Sequence, residues 1–444
     1  MQKSYNRSEV LQHNTLDDCW VIINNKVYDL SDFIKKHPGG KEIIETRAGE
    51  DATSFFYLKH VSNKGILRQL ETYCIGEICA SEKIDLEALK EPFLNELLES
   101  VMKQNLYTVS KKELRSFNLI RFFNLLVFFV CYALVFYTQL AIIYKSLLII
   151  LQAMVGASLF GFLAHEATHR NYPKTRLSKI VLSIYWPLCW PFISEKALRY
   201  EHNSHHIKIG DTAYDFEVAG FSKFIRYSNN ITPNFLHRYQ HKLAMFFYPF
   251  YANIITTYGG ISSDFWNIHN RKVAWLHNLS ILFSLFYFIL LPAFCTTISW
   301  YFLVIFYLCY QCILFSLVYV SAAINHFIPE TVKPLPEAYK NYPGYYVCHN
   351  TSNFCADSNY WFWQSGGFNI QIEHHLLPFI PVENLHKLKK IVKELCHKYQ
   401  YPYYEFDSFG QMWKEHYSFL KMLSKYDETL WQTDEMNKRN YEAK

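Results

Sequence analysis

Three short segments of the chain concentrate imidazoles: HEATH at 165–169, HNSHH at 202–206 and QIEHH at 371–375. A fourth candidate is His326, in the tripeptide INH. His165 and His169 stand four residues apart, as do His202 and His206, and on an α-helix that spacing puts both rings on one face. Neutral imidazole suits iron, and many nitrogen donors with few carboxylates can surround a pair of metal ions. A single HxxxH, or an adjacent pair such as His374 and His375, is more often structural or solvated than metal-bound. Three such groups recurring along one chain point instead to a metal centre built from distant segments.

A second pattern lies near the N-terminus. A β-like alternation over 20–28 leads to a helix start expected at Ser31 and Asp32, whose oxygens can cap exposed N–H groups, and then to HPGG at 37–40. Pro38 ends that helix, and the glycines let the backbone fold tightly around the His37 imidazole. His60 follows after a second helical stretch. Two histidines on opposing helices can hold a flat heme iron from both sides, which leaves no open coordination position and favours electron transfer over oxygen binding. The competing reading is a surface histidine in a Pro-Gly turn. HPGG, Ala48-Gly49, Asp51-Ala52-Thr53, Phe56 and His60 resemble the cytochrome b5 pattern in order and spacing. That resemblance implies that His37 and His60 are the two axial ligands of heme b.

The elements that must position these groups follow from hydropathy. Of 444 residues, 50% are hydrophobic and 18% aromatic, which is rich for a soluble protein and implies a membrane protein. Residues 119–143 and 145–164 are apolar and long enough to cross a bilayer as a hairpin, and 274–298 with 300–324 form a second pair. Shorter apolar pieces at 180–193 and 244–255 read as helices lying in the membrane interface. With Lys111, Lys112, Arg115 and Arg121 on the cytosolic side, the second helix of each hairpin emerges at His165 and at His326, so all the histidine groups fall on the heme side.

Other classes are excluded by composition. A net charge of +5 without a long basic run offers no footprint for nucleic acid. Eleven cysteines show no disulfide-like framework, and the CxxC at Cys309 and Cys312 lies in an apolar run and is expected to be core packing, not zinc. No apolar segment opens the chain, so no signal peptide is expected and the N-terminal part should stay in a reducing, cytosolic compartment.

The three boxes together resemble those of the membrane fatty acyl desaturases, specifically the front-end group with an N-terminal cytochrome b5 domain, over nearly the whole chain. The fold this implies is a small α+β heme domain (5–80), a linker and helix (81–116), an all-α membrane desaturase domain with four transmembrane helices and a cytosolic di-iron histidine cap (117–425), and a polar tail (426–444). By resemblance His165, His169, His202, His205, His206, His374 and His375 bind two irons, with His326 a further ligand. Gln371, where a first histidine would stand, is the front-end mark, either at the ligand position or hydrogen-bonded beside it. Glu166 departs from the Asp usual there, a mild change beside the metals. The implied activity is O2-dependent insertion of a cis double bond near the carboxyl end of a polyunsaturated acyl chain. Electrons would come from NADH-cytochrome b5 reductase, in the endoplasmic reticulum membrane.

Two rivals stay open: a sphingolipid long-chain-base desaturase or lipid hydroxylase using the same centre, and a membrane electron-transfer cytochrome. The latter predicts single histidines in mid-span, whereas these cluster at span ends. His13, His237, His241, His269, His277, His349, His386, His397 and His416 stand outside the metal set. Asp211 and Asp215 either orient the second box or lie in a solvated loop, and Gly366-Gly367 would allow close backbone approach before the third.

Overall fold

The computed structural model describes residues 3–38, 40–60, 64–86, 90–169, 186, 195–212, 215, 218, 222–259, 271–339 and 341–425. The interfacial helix expected over 180–193 lies outside the described residues apart from Trp186, as do His269 and the tail from 426.

The N-terminal unit opens with β1 (Ser4–Tyr5), α1 (Arg7–Val10), β2 (Trp20–Ile23) and β3 (Lys26–Asp29). It continues through α2 (Lys41–Glu45), α3 (Thr53–Lys59) and α4 (Lys64–Glu71) to β4 (Cys74–Ile78). The sheet order is β1-β4-β3-β2, with β1 parallel to β4 and Trp20 opposite Asp29 in the β2–β3 hairpin. Asn24 and Asn25 turn that hairpin at φ 53° and 60°, a left-handed pair that matches strand twist and that asparagine tolerates. The helix start expected at Ser31 and Asp32 does not form. Asp29 Oδ1 accepts from the Ser31 N–H (3.0 Å) and hydroxyl (2.6 Å), and the chain stays in a turn until a 3-10 segment, Ile34–Lys36. His37 and His60 therefore sit at the C-terminal ends of short helical segments, not within opposing helices.

A linker leads to α5 (Pro92–Lys103), which buries Phe93, Leu94, Leu97 and Val101. Just ahead of it the buried Glu91 accepts from the N–H groups of Gly344 (2.9 Å) and Tyr345 (3.0 Å) and from the Tyr401 hydroxyl (3.0 Å). The linker is thereby tied to the segment that precedes the third histidine box.

Among the described residues, four helices are long and apolar enough to cross a membrane: Lys111–Tyr137, Ile142–His169, Asn278–Cys295 and Trp300–Ala323. The first, α6 (Lys111–Tyr137), begins with a Ser110–Glu113 capping box and starts earlier than expected. It also stops earlier, at an extended Thr138, so the expected span 119–143 ran through the hairpin turn. Leu140 and Ile142 at that turn are apolar and exposed, and a lipid-facing turn leaves no break in hydropathy. The second span is α7 (Ile142–Leu159), which passes through a π-helical stretch, Phe160–His165, into α8 (Glu166–His169). After α9 (Glu195–Ile207) and α10 (Gln240–Gly259), the second hairpin consists of α11 (Arg271–Leu285), a π-helical stretch Phe286–Leu290, α12 (Leu291–Cys295) and α13 (Trp300–Ala323).

α7 and α13 form the centre of the bundle, where Ile149, Ala153 and Ala157 share a core with Tyr310 and Leu314. α6, α11 and α12 stand outside them, and Leu119, Phe122, Leu282 and Phe294 present exposed apolar surface of the kind lipid covers. Cys309 corrects the expectation of core packing: it is exposed on α13 and Cys312 only partly covered, because an apolar run in a span faces lipid as readily as protein.

The C-terminal region folds over the ends of α7 and α13. It comprises α14 (Pro343–Asn350), β5 (Ser352–Phe354), α15 (Asn359–Ser365), α16 (Gln371–Leu376), α17 (Leu385–Tyr399), β6 (Tyr404–Phe406) and α18 (Phe409–Leu423). β5 pairs in parallel with β6, Asn353 opposite Glu405.

Candidate metal and heme site

His165, His169, His202, His206 and His374 converge on one point, and His205, His326 and His375 on a second. Within each group the candidate ligand nitrogens all lie within 4.8 Å of one another. In the first, neighbouring Nε2 atoms stand 2.7 Å (His165–His202), 2.8 Å (His202–His169), 3.0 Å (His206–His202), 3.1 Å (His374–His206) and 3.4 Å (His169–His165) apart. Nitrogens bound at right angles to a single ion would be about 3 Å apart for bonds of about 2.1 Å. Five lone-pair atoms at that spacing, with no carboxylate among them, fit one metal ion better than any hydrogen-bonded arrangement.

The second group has three histidines. His205 and His326 approach to 3.3 Å between Nε2 atoms, and the His375 ring centre lies 5.0 Å from that of His205 and 4.5 Å from that of His326. His375 is fully buried, and both its ring nitrogens lack a hydrogen-bond partner. Buried polar atoms are rarely left so, and a metal ion at this point would take one of the two nitrogens. Burial, with neighbouring imidazoles adding to it, pushes His202, His206 and His375 well below the usual histidine range and His326 down to about 3. All are therefore neutral near pH 7, the form that binds metal.

Each doublet divides between the two points. Successive residues of a helix project about 100° apart, so α9 sends His206 to the five-histidine group and His205 to the three-histidine group. α16 does the same with His374 and His375. His205 donates from Nδ1 to the buried Asp215 carboxylate (2.9 Å), which also accepts the Gly210 N–H (2.7 Å), and His326 Nδ1 meets the Asn350 carbonyl (3.1 Å). Such partners fix the tautomer and leave Nε2 as the ligand atom. Of the two aspartates left open by the sequence, Asp215 orients a histidine; Asp211 supplies its carbonyl to the Asp215 N–H (2.9 Å).

His165 arrives differently from what α-helical spacing implies. It closes the π-helical stretch, where Gly161 packs backbone to backbone against Gly366: a Cβ on Gly161 would stand 2.6 Å from the Gly366 Cα. That contact brings the end of the second span beside α16, so that His165 and His374 lie 4.5 Å apart between ring centres. Gln371 is buried, its Oε1 has no hydrogen-bond partner, and it lines a small cavity with His165, Glu166 and His374.

Sequence inspection missed the group that holds α16 in place. Asn353 Oδ1 accepts the N–H groups of Gln371 (2.7 Å) and Ile372 (2.9 Å), and its Nδ2 donates to Glu373 (2.9 Å). Tyr403 donates to the other Glu373 oxygen (2.8 Å), and burial pushes the Glu373 carboxyl above its ordinary range. One clue was available: Glu373 is the one carboxylate among residues 366–381, and it must be satisfied if buried. Among the histidines set aside, His13 pairs with Asp18 (2.7 Å), His237 with the Ser222 carbonyl (2.8 Å) and His416 with the Tyr248 hydroxyl (2.6 Å). His241, His349, His386 and His397 belong to neither cluster; the His277 side chain lies outside the described residues.

In the N-terminal unit, His37 and His60 face each other across an apolar cavity of about 600 Å3 that Leu30, Phe33, Ile44 and Phe56 also line. Their ring centres are 6.2 Å apart, which leaves about 2 Å from each ring edge to the midpoint, the length of a metal–imidazole bond. Both Nδ1 atoms donate to backbone carbonyls, of Gly40 (2.8 Å) and Phe56 (2.8 Å), so each Nε2 carries the lone pair. The slot fits a flat, apolar, six-coordinate heme.

Comparison with known proteins agrees with this geometry. Residues 144–407 match the family described as fatty acid desaturase, more than half of the chain. The chain belongs to the fatty acid desaturase family. Residues 6–79 match the cytochrome b5-like heme/steroid binding domain. This desaturase is 26% identical to an acyl-lipid (8-3)-desaturase of Physcomitrium patens, over 94% of this chain and 91% of that one. It is 25% identical to Delta(5) fatty acid desaturase A of Dictyostelium discoideum, covering 94% and 93%, and 25% identical to a Delta(8)-fatty-acid desaturase of Borago officinalis, covering 89% and 88%. The desaturase is thus a membrane oxidoreductase acting on lipid, with a heme domain for electron transfer and histidine clusters that fit a di-iron centre.

Proposed function

We propose that this desaturase is a front-end enzyme that introduces a cis double bond near the carboxyl end of a polyunsaturated acyl chain. The observation that carries the proposal is the joining, in one chain, of a bis-histidine heme slot to an eight-histidine double metal site at the ends of two spans. The names of the relatives, acyl-lipid (8-3), Delta(5) and Delta(8) desaturases, point to the front-end class and to polyunsaturated fatty acid synthesis. His37 and His60 would hold the heme, which would supply one-electron transfer. His165, His169, His202, His206 and His374 would hold one iron, and His205, His326 and His375 the other, with Gln371 beside the first. Two irons held there would supply, with O2, the oxidising power that hydrogen removal from an unactivated methylene needs.

The residues of this chain do the rest. The neutral imidazoles bring no charge of their own, Asp215 and the Asn350 carbonyl orient His205 and His326, and Asn353 with Glu373 fixes the helix that carries His374 and His375. The reaction consumes one O2, two electrons and two protons per double bond and releases two waters. We assign the electrons to NADH-cytochrome b5 reductase, acting through the heme domain. The enzyme sits in the endoplasmic reticulum membrane with its N-terminus and histidines facing the cytosol, the orientation favoured by Lys111, Lys112, Arg115 and Arg121 at the start of α6. The domain limits that go with this function are 5–80 for the heme unit, 81–116 for the linker and helix, 117–425 for the desaturase unit and 426–444 for the tail.

The test is lipid profiling of a host expressing the chain and fed single polyunsaturated acids or ceramides. A new front-end double bond in the fed acid is expected, and it should vanish in His375→Ala while heme content holds. A desaturated long-chain base with unchanged fatty acids would assign the enzyme to sphingolipids instead.

A further inference from the structure

The cavity that holds His37 and His60 is not closed by the heme unit alone. Thr168, His169, Asn203, His206 and Ile207, from α8 and α9, together with Phe379, form its far wall. His169 and His206 both belong to the five-histidine group, so the heme slot and that metal site stand on opposite sides of one histidine pair.

The contacts that hold the two units together cluster at the same place. Lys208, two residues beyond His206, pairs with Glu50 of the heme unit (2.9 Å). Arg47 donates from Nη2 to the Ile207 carbonyl (3.2 Å) and from Nη1 to Glu50 (3.1 Å), while its guanidinium lies 3.8 Å from the centre of the Phe55 ring. Tyr200 donates to Glu45 (3.3 Å), and the Ser54 hydroxyl donates to the Asn341 carbonyl (3.3 Å). A planar, stacked arginine bonded to a backbone carbonyl of the ligand-bearing helix fixes orientation as well as proximity.

Given the desaturase function proposed above, we propose that Arg47, Glu50 and Lys208 are positioning residues that dock the chain's own heme unit against the five-histidine site, so that electrons pass within one chain across the wall formed by His169 and His206. Each transfer oxidises ferrous heme to ferric as the metal centre gains one electron. Two transfers, with O2 and two protons, balance one double bond and two waters. The docking pair is only partly exposed, with Lys208 at 14% and Glu50 at 38%, so solvent screens it in part and charge reversal puts like charges face to face.

The experiment uses the full-length enzyme, loaded with heme and iron, in lipid nanodiscs. The heme is reduced anaerobically and mixed with O2 and the acyl substrate established by the feeding test, and ferrous heme absorbance is followed against a substrate-free control. Glu50→Lys and Lys208→Glu should each slow substrate-dependent heme reoxidation by about tenfold, with unchanged heme spectrum and iron per chain, and the double variant should recover part of that loss, because the exchanged pair re-forms while Arg47 loses its Glu50 partner. Single variants at wild-type rate, or a double variant as slow as the singles, would overturn the docking assignment. A second measurement needs no turnover: Ser54→Cys with Asn341→Cys should be joined by a short bifunctional thiol reagent and recovered as one cross-linked peptide. No cross-link, with both thiols open to a monofunctional reagent, also overturns the dock. A cross-link in the Ser54→Cys, Asn341→Cys enzyme, with no substrate-dependent heme reoxidation in the unmodified enzyme, would refute the proposed function and leave the docked arrangement standing.

Discussion

Gly161→Ala isolates the contact on which the five-histidine site depends. Its Cβ would stand 2.6 Å from both the Cα and the carbonyl oxygen of Gly366, whereas ordinary contact begins at 3.4 Å. The two segments must therefore separate by about 0.8 Å, and because the obstacle is backbone, no side-chain rotation relieves it. The obstruction is mutual, since a Cβ on Gly366 would meet the Gly161 Cα at 2.5 Å, and Gly366 already sits at φ 66°. Four residues beyond Gly161 is His165, whose ring centre lies 4.5 Å from that of His374 on the other side of the contact. Displacing a reacting group by about 1 Å can cost about 100-fold in rate. Overpacking costs about 1–3 kcal/mol of stability, of which better helix propensity returns at most about 1 kcal/mol. Gly161→Ala should thus fold, keep its heme and lose about two orders of magnitude in turnover. The assay is product formed per heme in microsomes, with iron counted per heme after purification, so that the heme unit serves as an internal measure of enzyme. Gly410→Ala is the control: its Cβ would meet only the Ser408 hydroxyl, at 3.9 Å, and activity should be unchanged. Wild-type turnover and full iron in Gly161→Ala would refute the claim that this backbone contact sets the ligand geometry.

Two further outcomes follow from the site. Asp215→Ala removes the acceptor that orients His205 and should weaken iron retention at the three-histidine site by about 10- to 100-fold in a chelator titration, with Asp215→Asn at the lower end because its amide oxygen can still accept; unchanged retention in both would remove Asp215 from the site. Gln371→Ile should lose nearly all product per iron, because an apolar group cannot replace the amide beside His165 and His374, whereas Gln371→His should keep a measurable fraction. Equal turnover in Gln371→Ile and the unmodified enzyme would make that side chain a bystander.

What the sequence determined by itself is what depends on short-range order. HEATH and HNSHH announced shared helix faces because the helical period carries i and i+4 to the same side. HPGG followed by His60 announced the heme slot, and runs of apolar residues announced the spans because a bilayer demands length and hydropathy and little else. Those rules specify which residues share a face and not what meets that face. Which metal point each histidine serves was decided by packing: His374 reaches His206 across 168 residues, and His205 reaches His326 across 121. The π-helical approach of His165 exists because Gly161 meets Gly366, a contact between segments with no periodic relation. Asp215 and Asp211 are equivalent in sequence and differ in space, and Asn353 stands 20 residues from the carboxylate it satisfies. The wall shared by the heme slot and the five-histidine site is likewise tertiary, since it is made where α2, α8 and α9 come together. Directional bonds and close contacts of this kind need two partners, and a linear pattern names only one of them.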